Sequence, residues 1–414
     1  MARPPLLSPL RAVLPAPGRA EDVIAPPYDA LDAREARELA AGRPWSFLHV
    51  SRAEIDLPEG TDPYADAVYE KAGESFRRML DAGVLVRDPQ PRFYVYRLQM
   101  GRHVQTGFVG GASLEAYASQ RIRRHELTRP EKEDDRTRHI LALEAQTGPA
   151  LLAYRPVPEL ADVIQRVVRD APFCSAPGPG GVVHTLWRID DGAGIRAVAD
   201  AFAGQDALYI ADGHHRSAAA ARARKALTER RGSAHLGDEP YNRFLAAAFP
   251  ADEMRILGYH RLVKDLNGME PRVFLTRLAE SFTVRASNGP EAPGRREFGL
   301  YLDGRWHMLR TKGTPAADPV RSLDANRLSD LVLDPMLGVQ DLRRSERVDF
   351  VGGVRGLAEL QRRVDSGEMA AAFALHPVSL DELMAVADAG RLMPPKSTWF
   401  EPKLADGLVS ILLE

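Results

Sequence analysis

Residues 208–219 read LYIADGHHRSAA, and how this stretch is parsed decides the fold. Leu208, Tyr209 and Ile210 make the short apolar run of a buried strand, while Ser217 to Arg231 is an alanine-rich run with high helix propensity. Between them stand Asp212, Gly213, His214, His215 and Arg216, so four polar residues and a glycine occupy the passage from strand to helix. A glycine there lets the backbone approach a ligand closely, and the first turn of the helix offers unpaired N–H groups and a partial positive charge. Such a helix start is an anion site. His214 and His215 can donate to phosphate oxygens, and Arg216 adds a bidentate fork. Asp212 is suited to capping the helix or to holding a magnesium ion beside a bound nucleotide. The junction reads as a phosphate cradle built from Gly213, His214, His215 and Arg216.

Outward from the junction, residues 150–210 alternate strand and helix signals: ALLAYR, ELADVIQRVVRD, VVHTLWRI, IRAVADAFAG, ALYIADG. That alternation predicts an α/β fold, or α+β with mixed sheets. Upstream, WSFLHV (45–50) reads as a strand and residues 63–83 as an amphipathic helix. The alternation on either side of Gly101 predicts a hairpin, and KEDDRTRHILALEAQ (132–146) a helix with acids in its first turn. Downstream, RFLAAAFP and MRILGYHRLV read as strands, and KDLNGMEP from Lys264 as a turn-rich break. The predicted division is an N-terminal α/β region, 1–264, carrying the cradle, and a C-terminal α/β lobe, 265–414, whose MPPKSTWF segment returns to the site. That lobe should hold a hairpin turning at Asp303-Gly304.

Composition narrows the function. The 414-residue chain has a net charge of -2, which leaves no basic excess for a nucleic-acid footprint. One cysteine, Cys174, excludes an internal disulfide and a cysteine-cluster zinc site. Prolines at 4, 5, 9, 15 and 17 interrupt the N-terminal apolar residues, and no apolar run approaches the ~20 residues of a membrane helix, so a cytoplasmic location is expected. Adjacent histidines also admit a zinc or iron site at His214 and His215, with further ligands from His125, Glu126, His139, His184 or His260. HELTR at 125–129 is not a zincin motif, because Arg129 stands where the second histidine belongs.

Five segments occur in order: VIAPPYDA (23–30), HELTRPEKEDDR (125–136), ADGHHRSAA (211–219), YHRLV (259–263) and MPPKSTWFEPKLADGLV (393–409). Together they resemble a widespread prokaryotic family catalogued as a domain of unknown function. The box Gly213, Arg216, Ala219 resembles the Gly-x-x-Arg-x-x-Ala phosphate box of the ParB/sulfiredoxin-like superfamily, in which free serine kinases carry a similar box. The resemblance implies a ParB/sulfiredoxin-like core with an added C-terminal lobe. It also implies a kinase moving phosphate from ATP or ADP, with Mg²⁺, to the hydroxyl of L-serine or a similar hydroxy amino acid.

On that reading His125 or Glu126 is the base that removes the hydroxyl proton, and Asp212, His214, His215 and Arg216 act on the phosphoryl group. Asp135 and Arg136 join Lys396, Ser397 and Thr398 as nucleotide contacts, while Tyr28, Asp29, His260 and Arg261 face the substrate. Partners are then a nucleotide and a small hydroxy amino acid, with neither nucleic acid nor membrane, and homodimerisation left open. Two rivals remain: a ParB-like nucleotide-switched regulator, weakened by the lack of a helix-turn-helix signal or basic arm, and a metal-dependent hydrolase using His214 and His215.

Overall fold

The computed structural model describes residues 5–314 and 316–414. The chain divides into two compact units, residues 1–254 with 402–414, and residues 255–401.

The first unit is built on a nine-stranded mixed sheet. Across it lie Ile122–Arg123, Leu208–Asp212, Ala150–Tyr154, Arg243–Pro250, His103–Ser113, Tyr94–Met100, Val183–Arg188 and Cys174–Pro177, with Leu7–Ser8 also paired to His103–Ser113. Leu208–Asp212 runs parallel to Ile122–Arg123 and antiparallel to Ala150–Tyr154, which in turn pairs parallel with Arg243–Pro250. Both neighbours of the cradle strand are therefore occupied, and its residues 208–211 are buried, as its unbroken apolar run requires.

The His214–Arg231 helix packs on the Pro130–Leu143 helix. Its buried residues are His214, Ser217, Ala218, Ala219, Ala220 and Ala223, of which Ala219, Ala220 and Ala223 join the core cluster that covers the sheet. Pro130 opens the second helix with Glu131 and Glu133 in its first turn, where the helix dipole favours acids.

Residues 45–50 differ from expectation. Leu48–Ser51 is a short helix followed by a 3₁₀ turn at Ala53–Asp56, not a strand. Its amides are satisfied locally, Ser51 N–H donating to the Phe47 carbonyl at 2.9 Å and Arg52 N–H to Leu48 at 2.9 Å. The apolar side chains Phe47, Leu48 and Val50 join a cluster with Val68, Ala72 and Phe76 of the Asp66–Asp81 helix. Apolarity alone did not distinguish a strand from a buried turn of helix.

The boundary also differs from the expected break after Lys264, for two reasons. MRILGYHRLV is interrupted at Gly258 into Arg255–Leu257 and Tyr259–Val263, both in the second unit. The chain end belongs to the first unit, where Ser410–Leu412 pairs with Ala12–Pro15 on one side and Ala145–Gln146 on the other. Asp406 and Ala25 exchange backbone hydrogen bonds at 3.0 and 3.1 Å, fixing the segment ahead of that strand.

The second unit carries a six-stranded antiparallel sheet, in order Phe282–Ser287, Arg305–Thr311, Glu297–Leu302, Ala371–Leu375, Tyr259–Val263, Val348–Gly352. Its expected hairpin is present: Leu302 pairs with Arg305 across Asp303 and Gly304, both at positive φ. Among the described residues no helix is long and apolar enough to cross a membrane.

The tightest sheet contact in the first unit is at Gly107. A Cβ there would lie 2.1 Å from the Ala248 carbonyl oxygen of the paired strand. Gly107→Ala should cost about 3 kcal/mol or more, read as a lower urea midpoint at unchanged slope. Gly204→Ala, at a helix end where the added Cβ meets nothing within 4 Å, should change stability by less than about 0.5 kcal/mol.

Candidate functional site

The cradle is a strand, a left-handed glycine and a helix. Gly213 has φ +90°, a region that side-chain-bearing residues rarely enter, and a Cβ there would meet the Ala150 Cα at 3.1 Å. The turn therefore excludes any other residue. It leaves the first amides of the His214–Arg231 helix without intrahelical acceptors.

Asp212 ends the strand. Its Oδ1 accepts the Gly213 N–H at 2.8 Å and its Oδ2 pairs with Lys403 Nζ at 3.0 Å. Burial works against its charge, but Lys403 and Arg216 outweigh burial and hold the carboxyl well below the usual carboxylate range. As a magnesium ligand Asp212 does not fit: it is one carboxylate, with one oxygen on an amide and the other on an ammonium group.

The next three side chains diverge into different surroundings. His214 is buried against His125, ring centroids 4.5 Å apart and planes at 90°, with its Nε2 accepting the His125 N–H at 3.4 Å. Burial drives the imidazolium of both down, His125 to about 4 and His214 also well below its usual value. Both rings are neutral at ordinary pH. His215 is half-buried and its Nε2 accepts the Arg129 N–H at 3.0 Å, tying the loop ahead of the Pro130–Leu143 helix to the cradle. That nitrogen accepts rather than donates, so His215 positions a loop in this structure.

Arg216 is the cation of the turn. Its Nη1 donates to the Pro149 carbonyl at 2.7 Å, its Nη2 lies 3.5 Å from Asp29 Oδ1, and its guanidinium sits 5.4 Å from the Tyr28 ring centre. The same ring carries Arg136 at 4.1 Å. Arg136 forks onto Asp135 at 2.9 and 3.0 Å, and Asp135 also accepts the Tyr69 hydroxyl at 2.9 Å. Burial, then Asp29, raises Tyr28 to about 12, so its hydroxyl stays neutral between two guanidinium groups.

Tyr28, Arg136 and Arg216 line a pocket that also includes Gln146, Thr147 and Asp406. A second pocket shares Tyr28 and Arg136 and reaches Lys132 and Tyr64. Asp406 is buried, its Oδ1 has no hydrogen-bond partner, and Asp406 and Arg216 both flank Gly148. Burial raises the Asp406 carboxyl to about 7, although Arg216 pulls it down.

The structure thus brings together Tyr28, Asp29, Asp135, Arg136 and the 212–216 junction, with His125 and Glu126 beside His214. It places the remaining predicted residues in the second unit. There Lys396 is exposed at φ +58° with Nζ 5.8 Å from the Tyr259 ring, Ser397 Oγ donates to the Pro394 carbonyl at 2.7 Å, and Thr398 is half-buried. His260 Nδ1 accepts the Leu375 N–H at 3.1 Å, and fully buried Arg261 donates to the Tyr259 and Pro395 carbonyls. Lys396, Ser397, His260 and Arg261 thus each meet a group of their own unit.

Sequence reasoning missed Lys403 and Asp406. Their signal was the tail EPKLADGL, which follows directly on the PPKST segment that was read instead.

A family model described as "Protein of unknown function (DUF1015)" matches residues 7–326. No curated protein matches the chain. Among solved structures, a mutant free serine kinase in complex with AMP is 16% identical over 70% of this chain and 87% of that one, with a TM-score of 0.34. A conserved hypothetical protein from Pyrococcus furiosus is 15% identical over 72% and 93%, TM-score 0.33. SbnI with a C-terminal truncation, from Staphylococcus aureus, is 11% identical over 72% and 84%, TM-score 0.36. These likenesses are distant.

The raised Asp406 carboxyl has a consequence for stability. The folded state holds this proton up to about pH 7, while the unfolded chain releases it near pH 4. Asp406 therefore favours folding below pH 4 and that contribution is lost as pH rises to 7. Asp406→Asn should gain on wild type by on the order of 3 kcal/mol between pH 5 and pH 8 in urea unfolding. A difference that does not vary with pH would show Asp406 to be ionised throughout.

Proposed function

The chain belongs to the family described as protein of unknown function DUF1015, and we propose that its first unit is a nucleotide-dependent phosphotransferase. The reaction moves a phosphoryl group from ATP or ADP to the hydroxyl of a small hydroxy amino acid such as free L-serine. One observation carries this reading: the glycine-started helix and Arg216 adjoin a cavity holding a carboxyl poised near neutrality, Asp406. A phosphate site and a proton acceptor are the two things a hydroxyl kinase requires. The donor and acceptor classes follow from the resemblance of the DGHHR box to that of free serine kinases.

The amides of the helix start and Arg216 meet the phosphates, with Lys403 and Arg136 adding positive charge around them. Asp29, exposed beside Arg216, is placed for the acceptor's amine. Asp406 takes the hydroxyl proton as the acceptor oxygen bonds to phosphorus. The phosphoanhydride bond breaks, and the nucleotide leaves one phosphate shorter. We move the base from His125 or Glu126 to Asp406, because buried neutral His125, titrating near 4, is a poor proton acceptor at pH 7 and Asp406 matches the working pH.

Phosphorus NMR with ATP or ADP in Mg²⁺ buffer, and L-serine, L-threonine or L-homoserine as acceptor, tests this directly. A new phosphomonoester resonance is expected, with kcat/KM rising through about pH 7. Arg216→Ala should lower kcat/KM by about 100-fold or more, and Asp406→Asn should remove the pH-dependent limb. Loss of nucleotide to free phosphate without a phosphomonoester, or no turnover with any pair, would overturn the kinase reading.

A further inference from the structure

We propose that His125, Glu126 and His214 form a binding site for a divalent transition metal ion, with Zn²⁺ the best chemical match. One donor atom from each of the three lies within 4.8 Å of the other two. His125 and Glu126 come from the loop between Ile122–Arg123 and the Pro130–Leu143 helix, and His214 opens the His214–Arg231 helix. The sequence HELTR lacks the second histidine of a zincin helix, and the fold supplies one from 89 residues downstream.

The unusual member is His125. It is 2% exposed, and neither ring nitrogen has a hydrogen-bond partner; the Ile210 carbonyl acts on it without closing a bond of normal geometry. Every other buried histidine among the described residues is engaged. His139 meets the Val50 carbonyl at 2.9 Å, His184 the Tyr96 hydroxyl at 2.6 Å, and His260 the Leu375 N–H at 3.1 Å. His214 accepts the His125 N–H at 3.4 Å, a long contact that a metal bond readily replaces. A buried ring nitrogen with its lone pair unmet costs folding free energy that a ligand would recover. A metal ion would take the lone pair of one ring nitrogen from each neutral imidazole, leaving the other nitrogen of His125 to direct its N–H toward the Ile210 carbonyl.

The donor set selects the ion. Two imidazole nitrogens and one carboxylate suit Zn²⁺, Co²⁺ or Ni²⁺ and disfavour Mg²⁺ and Ca²⁺, which take oxygen ligands. Three protein ligands also leave a fourth position open to water or substrate, the pattern of catalytic rather than structural zinc. The adjacent pair read from sequence as ligands is divided by the structure: His214 belongs to this group, and His215 is committed to the Arg129 amide. The site does not rest on the phosphotransferase reading, since no nucleotide is needed to form it.

The test uses the full chain with any affinity tag removed, stripped by chelator and free of nucleotide. Zn²⁺ and Co²⁺ are titrated by calorimetry, with metal content read by mass spectrometry and the Co²⁺ visible spectrum recorded. One equivalent of Zn²⁺ is expected, undisplaced by 100-fold Mg²⁺, with the intense visible bands of four-coordinate Co²⁺. His125→Ala and Glu126→Gln should each weaken Zn²⁺ binding by about 100-fold, and His103→Ala by less than about 3-fold. His214→Ala removes a buried ring and is read only if circular dichroism shows a folded protein. Glu126→Gln, on a half-buried loop position, keeps the test intact if it does not. Absence of stoichiometric Zn²⁺ binding, or binding that neither His125→Ala nor Glu126→Gln weakens, would overturn the proposal whatever the outcome for phosphotransfer.

Discussion

At Gly213 the backbone stands in the left-handed region with Ala150 pressed against the place where a side chain would begin. That one constraint sets the direction of everything after it. The helix must start where the strand ends, with its amides open, and successive side chains leave the axis about 100° apart. His214 turns into the protein against His125, His215 reaches the Arg129 amide, and Arg216 points to Tyr28 and the cavity. Three consecutive polar residues that look like one motif in sequence thus carry three unlike tasks. A different residue at 213 would lose all three together.

The charges around the cavity sort into two classes. Asp135 and Asp212 are each held ionised by cations within hydrogen-bond reach, Arg136 for the first and Lys403 for the second. Asp406 sits close enough to Arg216 to feel it, yet burial wins and its carboxyl rises. Pairing explains the difference: a direct ion pair offsets the loss of water, and an unpaired Oδ1 does not. The cavity therefore combines fixed positive charge with one group able to exchange a proton near neutrality. Perturbed groups of this kind mark functional sites more often than structural ones.

Much of this was legible in the sequence. The strand–glycine–helix junction, the mixed sheet around it and the hairpin at Asp303-Gly304 are local patterns, and they appear where propensity and turn chemistry put them. What was not legible depends on long-range packing. WSFLHV has the composition of a strand, but its fate was decided by a helix to cover at Val68–Phe76. Lys403 lies 191 residues from the acid it pairs with, and only the return of the chain end between Ala12–Pro15 and Ala145–Gln146 explains why it is there. His260 and Arg261 are polar residues on a strand, which invites a functional reading. Their partners are carbonyls and an amide of the second unit's own backbone.

The two histidines of the junction also bear on how a phosphate would be held. A neutral imidazole contributes one N–H and no net charge, and neither ring charges readily at neutral pH, because burial opposes it. The cation requirement of a phosphoryl group must then fall on Arg216, Arg136 and Lys403, while His214 is free for chemistry that needs a lone pair rather than a proton. This division makes the pair of histidines intelligible as neighbours. The first supplies a nitrogen donor to the interior, and the second fixes the loop that carries His125 and Glu126 to meet it. Anchoring that loop by the Arg129 amide on His215 lets His125 and Glu126 of the loop converge with His214 of the helix, so the geometry of one site is held by the residue that defines the other.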